Sequence, residues 1–175
     1  MLNHVMIDLE TMGRTPGSAI VSVGAVIFDP RIGKKGAEFY AELDWEHQDR
    51  LIDPETQRWW SRQSEEAKKA LSGLEELKEC LGSLAKFLPR DAKVWGNGPT
   101  FDISMLEDGY RQYGIEVPWK FWNIRDCRTV LDMYESTRGG TSKSMRGKVQ
   151  HNALDDAIAQ AKAVSKMWRL LCVPK

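Results

Sequence analysis

The stretch Val5-Met6-Ile7-Asp8-Leu9-Glu10-Thr11 admits few folds, because it reads as an apolar strand that ends on two carboxylates. Side chains alternate across a strand, so Asp8 and Glu10 share one face while Ile7 and Leu9 turn to the other. Carboxylates held side by side raise each other's pKa unless cations neutralise them. The chemistry that most naturally wants such a pair is divalent metal binding through hard oxygen ligands. Taken alone, Asp-x-Glu fits equally well two solvated acids at the end of a surface strand.

The rest of the chain narrows the choice. At 175 residues it is most simply one domain, 1–175, long enough for a real core. Lys+Arg and Asp+Glu both total 25, so the formal net charge is zero. A protein that wraps a long duplex usually carries a basic excess, so neutrality argues for a small footprint such as one chain end. No apolar run is long enough to span a bilayer, and Asp8 interrupts any signal-peptide core. Cys80, Cys127 and Cys172 lie far apart without CxxC or His pairing, which suggests reduced thiols in a cytoplasmic setting and no zinc site.

Residues 3–9 read as a strand, Ala19 to Phe28 as a buried β-branched strand, and Ala37 to Leu43 as a third. Short loops between them predict an antiparallel meander. The pattern then turns helical: Pro54 to Trp60, a start at Ser64-Glu65-Glu66, and an amphipathic run from Leu74 to Leu88. Lys93 to Gly96 is a short strand, and Thr100 is expected to cap a helix through about Tyr113. Phe121 to Ile124 reads as a strand, Asp126 as the N-cap of a helix to Glu135, and Asn152 as the opening of a helix to about Leu171. Strands first, then alternation, predict an α/β fold with a mixed sheet covered by helices.

Two further acidic stretches bear on Asp8 and Glu10. Asp102 follows the Gly96-Asn97-Gly98-Pro99 turn in the first turn of a helix, where the helix dipole stabilises a carboxylate. In His151-Asn152-Ala153-Leu154-Asp155-Asp156, Asn152 is the better cap and Asp155 falls at N3, where it can reach back to the cap. That gives Asp155 a structural task and leaves Asp156 for chemistry.

These residues resemble the DEDD superfamily of 3′→5′ exonucleases, in its histidine-containing (DEDDh) branch. Asp8, Glu10, Asp102, His151 and Asp156 match its motifs in order: Asp-x-Glu on the first strand, an Asp early in a central helix, and a His followed after four residues by an Asp. Trp59-Trp60 with Arg125-Asp126-Cys127-Arg128-Thr129 is similar to small phage and bacterial exonucleases of the exonuclease VIII, DexA and mycobacterial exoribonuclease type. The resemblance implies a ribonuclease H-like fold, with a central sheet whose first three strands are antiparallel, flanked by helices. It implies hydrolysis of single-stranded DNA or RNA from the 3′ end, releasing 5′-mononucleotides, with two divalent cations, Mg²⁺ or Mn²⁺. Asp8 would bridge both ions, Glu10 and Asp156 would complete one site, Asp102 would serve the other, and His151 would be the general base. Related enzymes are often homodimers, although no apolar stripe here marks an interface.

Candidates for substrate contact are weaker. Met12 resembles the family position where an apolar side chain stacks near the terminal base, Thr11 just before it is a further substrate-binding candidate, and Phe101, Trp59 and Trp60 are candidate stacking platforms; Trp and Phe at such spacings also fill cores. Residues 136–150 carry Arg138, Lys143, Arg146 and Lys148 and no acid, which suits either a basic lid leading into His151 or a solvated loop. A ribonuclease H-like endonuclease, and an inactive nucleic-acid-binding module of the same fold, are the competing readings. DNA and RNA are not distinguished by any spacing in the chain.

Overall fold

A computed structural model describes residues 2–138 and 151–172. Strand β1 (His4–Thr11) pairs antiparallel with β2 (Ile20–Asp29), which pairs antiparallel with β3 (Lys34–Glu42). Helices α1 (Pro54–Trp60), α2 (Glu65–Lys68) and α3 (Leu77–Phe87) follow, then β4 (Lys93–Gly96), α4 (Asp102–Gln112), β5 (Ile124–Asp126), α5 (Cys127–Arg138) and α6 (Ala153–Cys172). The sheet order is β3-β2-β1-β4-β5, with β1–β4 and β4–β5 parallel. This is the mixed sheet that the meander and the later alternation predict.

Alternation along β1 divides the core. Val5, Ile7 and Leu9 pack with Leu77, Leu81 and Leu84 of α3 and with Ile103, Leu106 and Tyr110 of α4. Each such fully buried side chain contributes about 1.5–3 kcal/mol, which fixes α3 and α4 on that face. Met6 points the other way, into a cluster with Val26, Phe28 and Trp95 beneath Ala157, Ala161, Val164 and Met167 of α6. Asp8 and Glu10 continue the Met6 face, so the two acids emerge beneath the start of α6.

The helix comes unusually close there. Asp8 pairs across the ladder with Gly24. A Cβ on Gly24 would lie 2.2 Å from the carbonyl carbon of Ala153 and 2.3 Å from its oxygen and from the Leu154 nitrogen. Helix backbone therefore rests directly on strand backbone, and no side chain larger than hydrogen fits between them.

Several boundaries differ from those read in the sequence. Residues 73–75 run extended beside the end of β3, with the Glu75 N–H donating to the Glu42 carbonyl at 3.3 Å, so α3 starts at Leu77 and Leu74 is 86% exposed. Thr100 does not cap α4: the N-cap position is Phe101, and the first free N–H groups of the helix, Ile103 and Ser104, donate to the Pro99 carbonyl. Phe121–Asn123 is a 3-10 turn, and the strand begins at Ile124. Asp126 does cap α5, accepting from the Arg128 N–H at 3.0 Å and the Thr129 hydroxyl at 2.9 Å. Cys80 and Cys127 are buried, whereas Cys172 is exposed. Among the described residues no helix is long and apolar enough to cross a membrane.

Gly24→Ala is expected to lower the unfolding free energy by about 1–3 kcal/mol through overpacking. Gly82→Ala, on α3 with nothing within 4 Å of the added carbon, should instead raise it by about 0.5–1 kcal/mol. Urea denaturation of both variants checks the pair; equal effects would overturn the close-approach argument.

Candidate active site

Past Met6 the β1–β4 ladder ends, and β1 needs other partners. The Leu9 N–H finds one in Asp102, whose Oδ1 accepts it at 3.2 Å. Asp102 is only 3% exposed. It is thus a strut from the start of α4 to β1, set between the two acids of the strand.

Helix α6 delivers the fourth carboxylate. Asn152 caps it, its Oδ1 accepting from the Asp155 N–H at 3.0 Å, while its amide donates to the Tyr40 hydroxyl of β3 at 3.3 Å. The cap fixes the phase of the first turn, and Asp156 rather than Asp155 joins the strand acids. Asp8, Glu10 and Asp156 each offer an oxygen within 4.8 Å of the others. One turn further along, Gln160 donates from Nε2 to Asp8 Oδ1 at 2.7 Å. Gln160 was not foreseen from the sequence; its only signal there is the i+4 spacing from Asp156.

Crowding and desolvation act together on these acids. Burial, then Asp102 and Glu10, push the Asp8 carboxyl well above the usual carboxylate range, while the Gln160 hydrogen bond opposes the rise. Burial, then Asp156 and Asp102, push Glu10 up to about 8. Burial raises Asp102 to about 7, against the lowering pull of the Leu9 N–H and of the Arg128 guanidinium. Four carboxyl groups so placed cannot all ionise without positive charge. Among the described residues the Gln160 Oε1 is buried without a hydrogen-bond partner. Desolvated hard oxygens lacking donors fit divalent cations.

Other predicted residues fall on either side of the surface. Phe101, Thr11, Arg14 and Trp59 line a cavity of about 490 Å³ that reaches Leu9 and Glu10. Met12 and Trp60, expected against a terminal base, are only 1% and 2% exposed and pack with Ala19, Val21, Ala67 and Ala70. They have no free face for stacking. A register shift between Glu10 and Thr11 breaks the strand alternation there, and Met12 lies in the core. Trp60 is a strut, its Nε1 donating to the Thr11 carbonyl at 3.0 Å. The accessible indole is Trp59, 39% exposed. His151, with a left-handed φ of 65°, stands edge-to-face with Trp59 at 4.6 Å between ring centroids. Arg146 and the proposed lid, with Lys143 and Lys148, lie outside the described residues, as does the side chain of Arg138.

The description "3'-5' exoribonuclease Rv2179c-like domain" belongs to a family model that matches residues 3–168. The exodeoxyribonuclease of Enterobacteria phage T4 is 26% identical over 187 residues, covering 86% of this chain and 82% of the phage protein. Among solved structures, that of an exonuclease I superposes with a TM-score of 0.72 at 16% identity. The match covers 93% of this chain but only 40% of exonuclease I. The nuclease domain of 3'hExo, a DEDDh family member bound to rAMP, superposes at 0.63 with 12% identity over 97% of this chain and 92% of the domain.

The raised carboxyls predict a pH dependence of stability. Unfolded, Glu10 ionises near 4.5; folded, it holds its proton to about 8. Between these values the folded state binds a proton that the unfolded state has released, so metal-free stability falls as pH rises and the loss is complete above about 8. His4 acts oppositely but at lower pH. Buried against Trp95, it is lowered from 6.5 to about 4, and its contribution is fully present above pH 6.5. In EDTA the melting midpoint should therefore drop from pH 6.5 to 8.5, less so in Glu10→Gln. Added Mn²⁺ should raise the midpoint more at pH 8.5 than at 6.5; the reverse order would exclude cation binding at these acids.

Proposed function

Because this chain belongs to the Rv2179c-like family of 3′-5′ exoribonuclease domains and is a DEDDh-type 3′-5′ exonuclease, we propose that it removes 5′-mononucleotides from single-stranded 3′ ends with His151 as general base. One observation carries this reading: the desolvated carboxyls of Asp8, Glu10 and Asp102 and the half-buried Asp156 converge beside a cavity lined by Trp59, the indole against which His151 stands. The rAMP bound to the 3'hExo nuclease domain is a ligand of the same class as the proposed product.

Asp8, Glu10 and Asp156 would hold divalent cations, with Asp102 completing the set. Such ions, when bound, stabilise charge on the attacking and leaving oxygens of an in-line displacement; Mg²⁺ and Mn²⁺ both suit these hard ligands. His151 takes a proton from the water whose oxygen forms the new bond to phosphorus. The bond to the 3′ oxygen of the preceding nucleotide breaks, and that oxygen leaves with the shortened strand. Gln160 holds Asp8 by its amide, which keeps the central carboxylate oriented as it ionises. The terminal base stacks on Trp59 in the cavity that Phe101 also lines. The described residues act as one catalytic domain, and the sugar preference is open to a matched comparison of DNA and RNA.

With Mn²⁺ and a 5′-labelled single strand, the wild type should give a ladder of single-nucleotide steps, and EDTA should stop it. Asp8→Ala should release no measurable mononucleotide. His151→Ala should lower kcat by roughly 10²–10⁴ with little change in KM. Internal cuts would favour an endonuclease, and an active Asp8→Ala would remove the acids from the mechanism. Trp59→Ala should raise KM roughly 5- to 100-fold, the range expected for one lost base stack, and a 3′-terminal abasic residue should abolish the difference between Trp59→Ala and wild type.

A further inference from the structure

The segment Arg125-Asp126-Cys127-Arg128-Thr129 is accounted for by packing except at one residue. Asp126 caps α5 and takes the Thr129 hydroxyl. Cys127 is buried against Met6, with 3.4 Å between the sulfurs. Arg125 donates to the carbonyls of Trp122 and Ile124, both at 2.8 Å. Arg128 is exposed, and its guanidinium makes no hydrogen bond or ion pair among the described residues.

That guanidinium is nevertheless placed. It lies against Gly98, with Nη1, Cζ and Nη2 at 3.1, 3.2 and 3.5 Å from where a Cβ would be. Gly98 has φ +100°, a conformation that side-chain-bearing residues rarely adopt. The turn that carries Arg128 over it leads straight into Asp102. The parallel strands β1, β4 and β5 all end on this edge of the sheet, the edge where ligands of open α/β sheets bind. Along that edge the sheet runs from the β1 acids past β4, which leads into Asp102, to β5, which leads into Arg128, while the Trp59 cavity opens beside Glu10 and Phe101.

If the terminal nucleoside occupies the cavity and the cleaved linkage lies over the acids, as the proposed function holds, the remaining strand leaves on the Arg128 side. A planar fork of five donors without an acceptor among the described residues matches a phosphodiester, which has two free oxygens. We infer that Arg128 receives a non-scissile phosphodiester on the 5′ side of the cleaved linkage. It is thus a strand-binding residue separate from the acids that would hold metal. Its influence on Asp102 gives the alternative role, a fixed charge with no substrate contact, that a test has to separate.

A chemical double-mutant cycle makes that separation. Single-stranded 12-mers carry either ordinary linkages or one uncharged methylphosphonate at the first or second linkage 5′ of the terminal one. Binding to wild type, Arg128→Ala and Arg128→Lys is read by fluorescence anisotropy with Ca²⁺ over a range of NaCl. Arg128→Ala should weaken binding of the ordinary strand roughly tenfold, as loss of a charge-assisted hydrogen bond does. The slope of log K against log salt should become shallower by about 0.7, one phosphate on a single strand. At one of the two linkages the methylphosphonate should cost wild type a similar factor and cost Arg128→Ala nothing more. Arg128→Lys should keep the wild-type salt slope while recovering part of the affinity. Independent, additive losses at both linkages with an unchanged slope would overturn the inference and leave Arg128 as a neighbour charge of Asp102. Turnover of the ordinary strand with Mn²⁺ is scored separately. Its absence in wild type would refute the exonuclease mechanism above without touching the binding cycle.

Discussion

Four carboxyl groups from three segments meet in one space, three of them desolvated and Asp156 half-buried, and the fold around them holds that repulsion in place. Asp8 and Glu10 come together at no cost in chain entropy, because a strand puts alternate residues on one face. Asp102 and Asp156 must be brought from 93 and 148 residues further along the chain than Leu9 and Asp8, and each arrives on the first turn of a helix. Helix N-termini tolerate carboxylates because the dipole and free N–H groups favour negative charge there. The arrangement therefore places two acids where local electrostatics help and two where the strand supplies geometry.

What keeps the acids from relaxing apart is a set of short, directed contacts. The Leu9 N–H ties Asp102 to β1, the Gln160 amide ties Asp8 to α6, and the Asn152 cap sets the rotation that aims Asp156 inward. Beneath these, Gly24 lets the α6 backbone settle onto the strand. Trp60 pins the carbonyl of Thr11 from below the cavity, leaving its neighbour Trp59 free to face solvent and His151. Apart from the Asn152 cap, which bonds three residues along its own helix, each tie uses a group whose partner lies far away in sequence.

That distance marks the limit of what the sequence shows. The shared face of Asp8 and Glu10 follows from alternation, and the choice of Asp156 over Asp155 follows from recognising Asn152 as the cap; both were legible. So was Asp126 as a cap. The ties of Asp102 and Gln160 were not, since each depends on which backbone or side-chain group another element presents. Trp59 and Trp60 are adjacent in a seven-residue helix, too short for its apolar stripe to say which indole is inside. Family resemblance alone places Met12 beside a terminal base, and here it is buried with Ala19, Val21, Ala67 and Ala70, past the register shift that follows Glu10. The Leu74–Leu88 periodicity overran its helix because residues 73–75 form strand-like bonds that compete with the first turn.

The two outer strands of the sheet carry a consequence of a different kind. One edge, β5, is three residues long, and the other, β3, begins with Lys34 and Lys35 and carries Glu38 and Glu42. Short or charged edges are poor templates for adding another strand. Two copies of this chain are therefore ill-suited to merge their sheets into one continuous ribbon. Among the described residues these are the two free edges of the five-stranded sheet, and edges of this kind disfavour strand-by-strand association of copies.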